Sequence, residues 1–196
     1  MAEEIKDGTG TGNKLKVGSD NRLQARVITE LEEIHNSELG NTYNFNTGLI
    51  SITADATLIY LRNNSNENYI LKSIALGSFE GITHSDDPYI TVVKNPTGGD
   101  LITDATVVDI NENRNFGSSK EADAFIYKGK VGGTLTGGST AAILQASAGG
   151  RSFYGIDLLL PKGASVGINL TANVSSGSAN WYCALIGYFK DDLDSQ

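Results

Sequence analysis

The chain has 196 residues, enough for one domain with a substantial hydrophobic core, and a formal net charge of −8. This acidic balance, with no cluster of Lys and Arg, excludes nucleic acid as a partner, because phosphate binding depends on clustered cations. Charged residues make up only 19% of the chain, and 23 glycines with many Asn, Ser and Thr indicate short strands joined by many turns.

The first predicted element is an arm over residues 1–20, which are polar and rich in glycine. Glycines alternate with threonines at positions 8–12, which favours an extended, flexible segment over a packed element. Leu15 and Val17 offer one short strand within it. Terminal arms of this kind become ordered when they lie across a neighbouring subunit, so we expect Leu15 and Val17 to be inter-subunit contacts.

Residues 21–42 form the predicted connection between this arm and the main domain. Their apolar positions fit helical spacing and strand alternation about equally well. We predict a strand that leads into a short helix ending at Gly40. His35 falls here, and we expect it to be a solvated residue rather than a ligand.

From residue 43 to residue 196 the sequence is dominated by the two-residue alternation of β-strands. Turn residues divide it into about ten strands spaced roughly 10–15 residues apart, a pattern typical of a sandwich or barrel. The predicted strands span 48–53, 57–62, 69–76, 88–94, 106–110, 124–127, 142–145, 154–160, 165–171 and 181–189. We therefore predict an all-β fold, a jelly-roll-like two-sheet sandwich with an extended N-terminal arm, with an immunoglobulin-like sandwich as the alternative.

The last predicted strand is apolar on both of its faces. It should therefore lie in the middle of a sheet or beneath a subunit contact. We predict inter-subunit contacts at Trp181, Tyr182, Tyr188 and Phe189. Cys183 lies in the same strand, where we expect a buried and inert thiol, and as the single cysteine it excludes an internal disulfide.

The sequence contains no recognisable catalytic motif. His35 and His84, without a cysteine pair, do not make an ordinary zinc site, and a Gly-x-Ser-x-Gly nucleophile elbow is missing. Asp86 and Asp87 are adjacent, so in a strand they would point to opposite faces and could not act as an acid and base pair. The glycine-rich stretches lack the Lys-Ser/Thr end of a phosphate-binding loop. We expect no catalytic residue, no cofactor and no metal ion.

Residues 109–113 have the Asp-x-Asn-x-Asn spacing that begins a calcium-binding loop. Arg114, however, occupies the position that requires glycine, and Lys120 stands where the bidentate glutamate belongs. We therefore predict a polar strand end there rather than a calcium site.

Membrane insertion is also unexpected, because no apolar run approaches the length of about 20 residues that spans a bilayer. The first residues lack the cationic and then apolar pattern of a secretory signal. Most of the eight tyrosines lie within strand patterns, which favours packing in a core or an interface over a sugar-binding platform.

Several segments together suggest a family. They are KLKV with NRLQARV at 14–27, GNTYNFN at 40–46, LIYLRNN at 58–64, VVKNPTG at 92–98, NENRNFG at 111–117 and ALIGYF at 184–189. Over most of its length the chain resembles the virion structural proteins of tailed bacteriophages, particularly capsid decoration or auxiliary head proteins. The resemblance implies a non-enzymatic jelly roll that sits on the capsid exterior as a homotrimer, with arms that clasp its neighbours. Its implied partners are the major capsid protein and copies of itself, and the chain would be made in the host cytoplasm.

The charge agrees with this position, since an acidic protein suits the outside of a DNA-filled shell better than its inside. Two other roles stay open. A head- or tail-fibre module would bind host-surface glycans through loops such as 63–68, 84–88 or 111–120. A neck or tail component would differ in its position in the particle.

Overall fold

The computed structural model describes residues 5–6, 14–17, 23–24, 32–79, 82–84, 86–99, 106–107, 111–129, 131–147 and 149–190. The chain divides into two compact units, residues 1–31 and residues 32–196. In the first unit, β1 (Ile5–Lys6), β2 (Lys14–Val17) and β3 (Leu23–Gln24) form an antiparallel sheet. Leu15 pairs with Ile5 and Val17 with Leu23, so the strand predicted around Leu15 and Val17 is present as β2.

The second unit begins with a short helix and continues as a series of strands. The helix α1 spans Glu32–Glu38 and is followed by a turn at Gly40, where the sequence predicts its end. The strands are β4 (Thr42–Asn46), β5 (Ile50–Ile52), β6 (Ala56–Asn63), β7 (Asn68–Phe79), β8 (Ile82–His84), β9 (Tyr89–Lys94), β10 (Thr106–Val107), β11 (Asn111–Asn113), β12 (Ala124–Lys128), β13 (Ser139–Gln145), β14 (Arg151–Leu160), β15 (Ser165–Thr171), β16 (Val174–Gly177) and β17 (Ala179–Lys190).

Two antiparallel sheets of this unit pack face to face as a sandwich. Sheet A has the strand order β10-β12-β6-β15-β9-β13, and sheet B has the order β11-β4-β17-β7-β14, with β5 also paired to β17. A small separate sheet joins β16 to β8. The fold class is therefore the all-β two-sheet sandwich that the strand alternation predicts.

The pairing of eight strands defines the topology. In chain order these are β4, β6, β7, β9, β13, β14, β15 and β17. The first strand of this series pairs with the last (β4 with β17), and the pairs inside it are β6 with β15, β7 with β14 and β9 with β13. This nesting is the double Greek key of a jelly roll, and it distinguishes the fold from the immunoglobulin-like alternative.

The core fills the space between the sheets with side chains from alternate strand positions. Its largest fully buried members are Trp181, Tyr69, Phe45, Ile52, Leu58, Ile59, Leu61, Leu71, Ile74, Leu76 and Ile90. Strand β17 lies between β4 and β7, which confirms the central position predicted from its two apolar faces. On the outer face of sheet B, the ring of Tyr182 lies over Gly77, where any Cβ would come within 2.3 Å of it.

Strands β4, β8, β11 and β16 lie outside the predicted strand spans, and one predicted strand is described only in part. Strand β4 was missed because its alternate residues are asparagines, which made the segment resemble a loop; Tyr43 and Phe45 nevertheless point into the core. The strand predicted at 106–110 is described only as β10, and its remainder lies outside the described residues. Within the described residues, no helix is long and apolar enough to cross a membrane.

Candidate interaction surface

Strands β13 and β14 lie along the same side of the sandwich. Each ends the strand order of its own sheet in the part of the chain that the structure describes. Because residues 146–150 connect them directly, the two strands run beside each other, and the Tyr154 hydroxyl of β14 donates a hydrogen bond to the Gln145 carbonyl of β13. We call this side, made of β13 and β14, the open edge.

The open edge exposes large apolar side chains. Ile143 is 65% exposed on sheet A, and Phe153 and Leu159 are 68% and 60% exposed on sheet B. Between them, Leu144 and Leu158 pack against the core while remaining partly exposed. Single exposed apolar residues are ordinary, and the three here lie on the outer faces of the two sheets, with Gly155 and Asp157 between Phe153 and Leu159 on β14.

A bulge in β14 limits how another chain could pair with this edge. The pairing of β14 with β7 jumps from Gly155 to Leu158, and Asp157 within the bulge has a φ of 45°. The Lys72 ammonium donates a hydrogen bond to the Asp157 carboxylate, which raises the pKa of Lys72. Bulges and charges on an edge strand oppose the addition of a further strand. Contact at the open edge therefore depends on side chains rather than on an extended β-ladder.

A preformed apolar pocket lies at one end of the open edge. Its volume is about 260 Å³, and we call it the leucine pocket. Its apolar lining residues are Leu158, Leu159, Leu160, Pro161, Ala164 and Val166, and its polar lining residues are Lys94, Asn95 and Ser165. The Ser165 amide donates to Asn95 Oδ1 at 2.9 Å and the Ala164 amide to the Pro161 carbonyl at 2.9 Å, so the walls are held in place.

A second exposed feature is the loop at residues 113–120, which we call the Phe116 loop. The side chain of Phe116 at its tip is fully exposed. Asn113 Oδ1 accepts a hydrogen bond from the Asn115 amide at 2.9 Å, and Asn113 Nδ2 donates to the Gly40 carbonyl at 2.7 Å. Asn115 Nδ2 donates to the Glu38 carbonyl at 3.0 Å. The loop is thus fixed to the end of α1 and presents an aromatic ring to solvent.

A polar cleft of about 210 Å³ is found where loops 63–68 and 111–120 approach each other. Tyr43 and Phe189 line it together with Glu67, Glu121 and Asp123. Burial raises the pKa of Tyr43, and the nearby carboxylates of Glu67 and Glu121 raise it further. Of the loops predicted for glycan binding, these two converge here, whereas 84–88 does not line the cleft.

The buried titratable groups are chemically quiet. Burial raises the pKa of the Cys183 thiol, so that the sulfur stays protonated and unreactive, as its place in the last strand predicts. Burial also raises the pKa of Tyr69. A search of the described residues finds no group of three or more His, Cys, Asp or Glu side chains that could hold a metal ion. In the calcium-like segment, Asn111–Asn113 form β11, and Asp109 lies outside the described residues.

The predicted contact residues occupy three different environments. Trp181 and Phe189 are in the core, and Tyr188 is also buried; Tyr182 is partly exposed over Gly77. The side chains of Leu15 and Val17 are outside the described residues. Contact of these six residues with a partner stays a prediction.

Sequence reasoning missed the exposed residues of the open edge and of the Phe116 loop. One signal was available for β14. Residues 158–160 are three consecutive leucines, so in a strand at least one of them must face away from the core.

Comparisons with known proteins add no relative. No protein-family model matches the chain, and no curated protein is detectably similar to it in sequence.

Proposed function

We propose that this chain is a non-enzymatic structural protein of a phage particle, which binds the capsid exterior as a homotrimer and reinforces the shell through contacts between subunits. The observation that carries the proposal is the open edge, where Ile143 and Phe153 are exposed and Leu159 is exposed in the wall of the leucine pocket. The jelly roll adds support by analogy, because viral capsid domains use this fold, although lectins and cupins use it too.

The three exposed apolar side chains set an upper limit on the strength of a contact at the open edge. Burying the exposed parts of three large side chains contributes about 3–6 kcal/mol. Association of two free proteins costs about 4–15 kcal/mol in lost translational and rotational freedom. One such contact therefore holds two free copies weakly. A closed ring, in which every copy makes two contacts, or a shell that already places copies side by side, makes the same contact effective.

The proposal is tested by measuring the mass of the purified protein alone and after mixing with capsid shells of the phage that encodes it. We expect a trimer, or a monomer that becomes trimeric on the shell, and co-sedimentation with shells in both cases. Phe153→Ser should weaken both. Leu49→Ser is the matched control, because Leu49 is 56% exposed but lies away from β13 and β14. A protein that stays monomeric and ignores shells would refute the proposal.

A second candidate function rests on the polar cleft. Tyr43, Asn41 and the carboxylates around it offer the hydroxyl, amide and carboxylate groups that hydrogen-bond sugars. A fibre module that binds host-surface glycans would use this site. Glycan-array binding that is lost in Tyr43→Phe and in Glu121→Gln, with no association with shells, would favour this function over the capsid role.

A further inference from the structure

We propose that Phe116 of one copy inserts into the leucine pocket of a neighbouring copy, so that the chains join head to tail in a closed ring. This inference rests on the proposed self-assembly and specifies the contact that produces it.

The Phe116 loop has the properties of a preorganised anchor. Its aromatic ring is fully in water. The side chains of Asn113 and Asn115, which precede it, donate hydrogen bonds to the Gly40 and Glu38 carbonyls, and the Gly117 amide donates to Asn115 Oδ1 at 3.0 Å. Aromatic residues are enriched at protein interfaces, and rigidity reduces the entropy lost on binding. The exposed ring is not needed for the packing of its own subunit.

The leucine pocket fits this anchor in size and character. A cavity of about 150 Å³ lined by apolar side chains is sufficient to bind benzene. The pocket has a volume of about 260 Å³, so it has room for a benzyl side chain. Its charged lining residue among those described is Lys94, whereas the surface around the Phe116 loop exposes Glu33, Glu38, Glu121 and Asp123 against the loop's own Arg114 and Lys120. Opposite charges thus accompany the apolar contact.

The two features cannot meet within one chain, because they lie at opposite edges of sheet B. The Phe116 loop follows β11, the first strand of the order β11-β4-β17-β7-β14, and the pocket is built on β14, the last. Four strand spacings of about 4.8 Å separate them by roughly 19 Å. A pocket on one edge and an anchor on the other make a heterologous contact between copies.

The register of sheet B gives the offset along the strands between the start of the Phe116 loop and the pocket. Asn113, where the loop begins, pairs with Tyr43 of β4, and Tyr43 pairs with Gly187 of β17. Leu160, in the pocket, pairs with Tyr69 of β7, and Tyr69 pairs with Phe189 of β17. The anchor and the pocket therefore differ in height by two residues, or roughly 7 Å along the strands. The contact closes into a ring if the rotation between copies absorbs this offset and builds a filament if it does not, so the mass of the assembly in sedimentation distinguishes the two.

The first test is a double-mutant cycle on the association constant, measured by sedimentation in solution and on capsid shells. Phe116→Ser and Leu159→Ser should each weaken association about tenfold to a hundredfold, since each removes a large apolar contact. The double variant should be no weaker than the weaker single variant, because the two side chains belong to one contact. Both residues are exposed, so the variants should fold, and Leu49→Ser is the control for lost surface hydrophobicity.

The second test identifies the partner. Gly117→Cys and Lys162→Cys are made in separate chains of different mass, mixed, and treated with a bismaleimide about 10 Å long; the buried Cys183 should not react. We expect the cross-linked heterodimer to be the main product, with little product from either variant alone. A mixture that gives no more cross-linked dimer than either variant alone would overturn the inference.

The failure of this inference is distinguishable from the failure of the proposed function. If Phe153→Ser abolishes assembly while Phe116→Ser assembles as the unmodified chain does, the open edge functions without the anchor, and the inference is wrong. If the unmodified chain forms no oligomer in solution or on shells, the proposed function and the inference fall together.

Discussion

The side chain of Asn169 tests whether hydrogen bonds hold the loop around Leu135 against the outer face of sheet A. Its Oδ1 accepts hydrogen bonds from the Leu135 amide at 2.9 Å and the Thr57 hydroxyl at 3.0 Å, and its Nδ2 donates to the Leu135 carbonyl at 3.0 Å. Leu135 itself is seated on Gly167, where a Cβ would meet its Cδ1 at 1.9 Å. One side chain thus holds the loop around Leu135 against the sheet.

Asn169→Ala removes all three hydrogen bonds. At a net contribution of about 1 kcal/mol each, the free energy of unfolding should fall by about 3 kcal/mol. In a chain of this size the melting temperature should fall by about 6–12 °C. Urea unfolding followed by circular dichroism measures the free-energy change.

The matched control is Asn66→Ala, since Asn66 is exposed and accepts a hydrogen bond from Lys162 at 2.6 Å. It should change the free energy of unfolding by no more than about 0.5 kcal/mol. If Asn169→Ala costs as little as Asn66→Ala, the side-chain bonds do not hold the loop, and the explanation of the covered face is refuted.

Three further predictions concern buried groups. Trp181 Nε1 has no hydrogen-bond partner among the described residues, so Trp181→Phe should cost less than about 1.5 kcal/mol, whereas Trp181→Ala should cost about 3–5 kcal/mol, as measured by urea unfolding. The Cys183 thiol should react with a chromogenic disulfide only after unfolding, and rapid modification of the folded chain would contradict its burial. The pKa values of Tyr43 and Tyr69 are raised above 10.0, so the stability that their neutral forms contribute is complete below pH 10 and is lost as the pH rises further. Tyr69→Phe should flatten this alkaline loss in a pH series of unfolding curves, and an unchanged slope would contradict the assignment.

Much of the fold follows from local patterns in the sequence. The alternation over 165–171 and 181–189 predicts which side chains face a core, and this prediction does not require knowing which strands pair. Strand β4 shows the limit of such reasoning. Asn44 and Asn46 resemble loop residues, and only the pairing of β4 with β17 and β11 makes the segment a strand.

The candidate interaction surface was harder to predict from the sequence, because it depends on contacts between residues that are distant in the chain. Strand β17 is apolar on both faces and β14 ends in three consecutive leucines, yet β17 has neighbours on both sides and β14 pairs only with β7 among the described strands. The exposure of Phe116 likewise depends on bonds from Asn113 and Asn115 to backbone groups more than 70 positions earlier. Composition and periodicity do not report such pairings.

The modest strength of each contact would govern when the ring forms. Free copies at low concentration would associate weakly, because one apolar contact barely offsets the lost freedom of two molecules. On a shell, copies bound at neighbouring sites would have an effective concentration in the millimolar range for one another, on the order of that produced by short linkers. Binding would then be cooperative: each bound copy would present Phe116 and a leucine pocket to the next one. In the proposed role, a weak head-to-tail contact would let the protein stay dispersed while it is made and join its neighbours only on the particle.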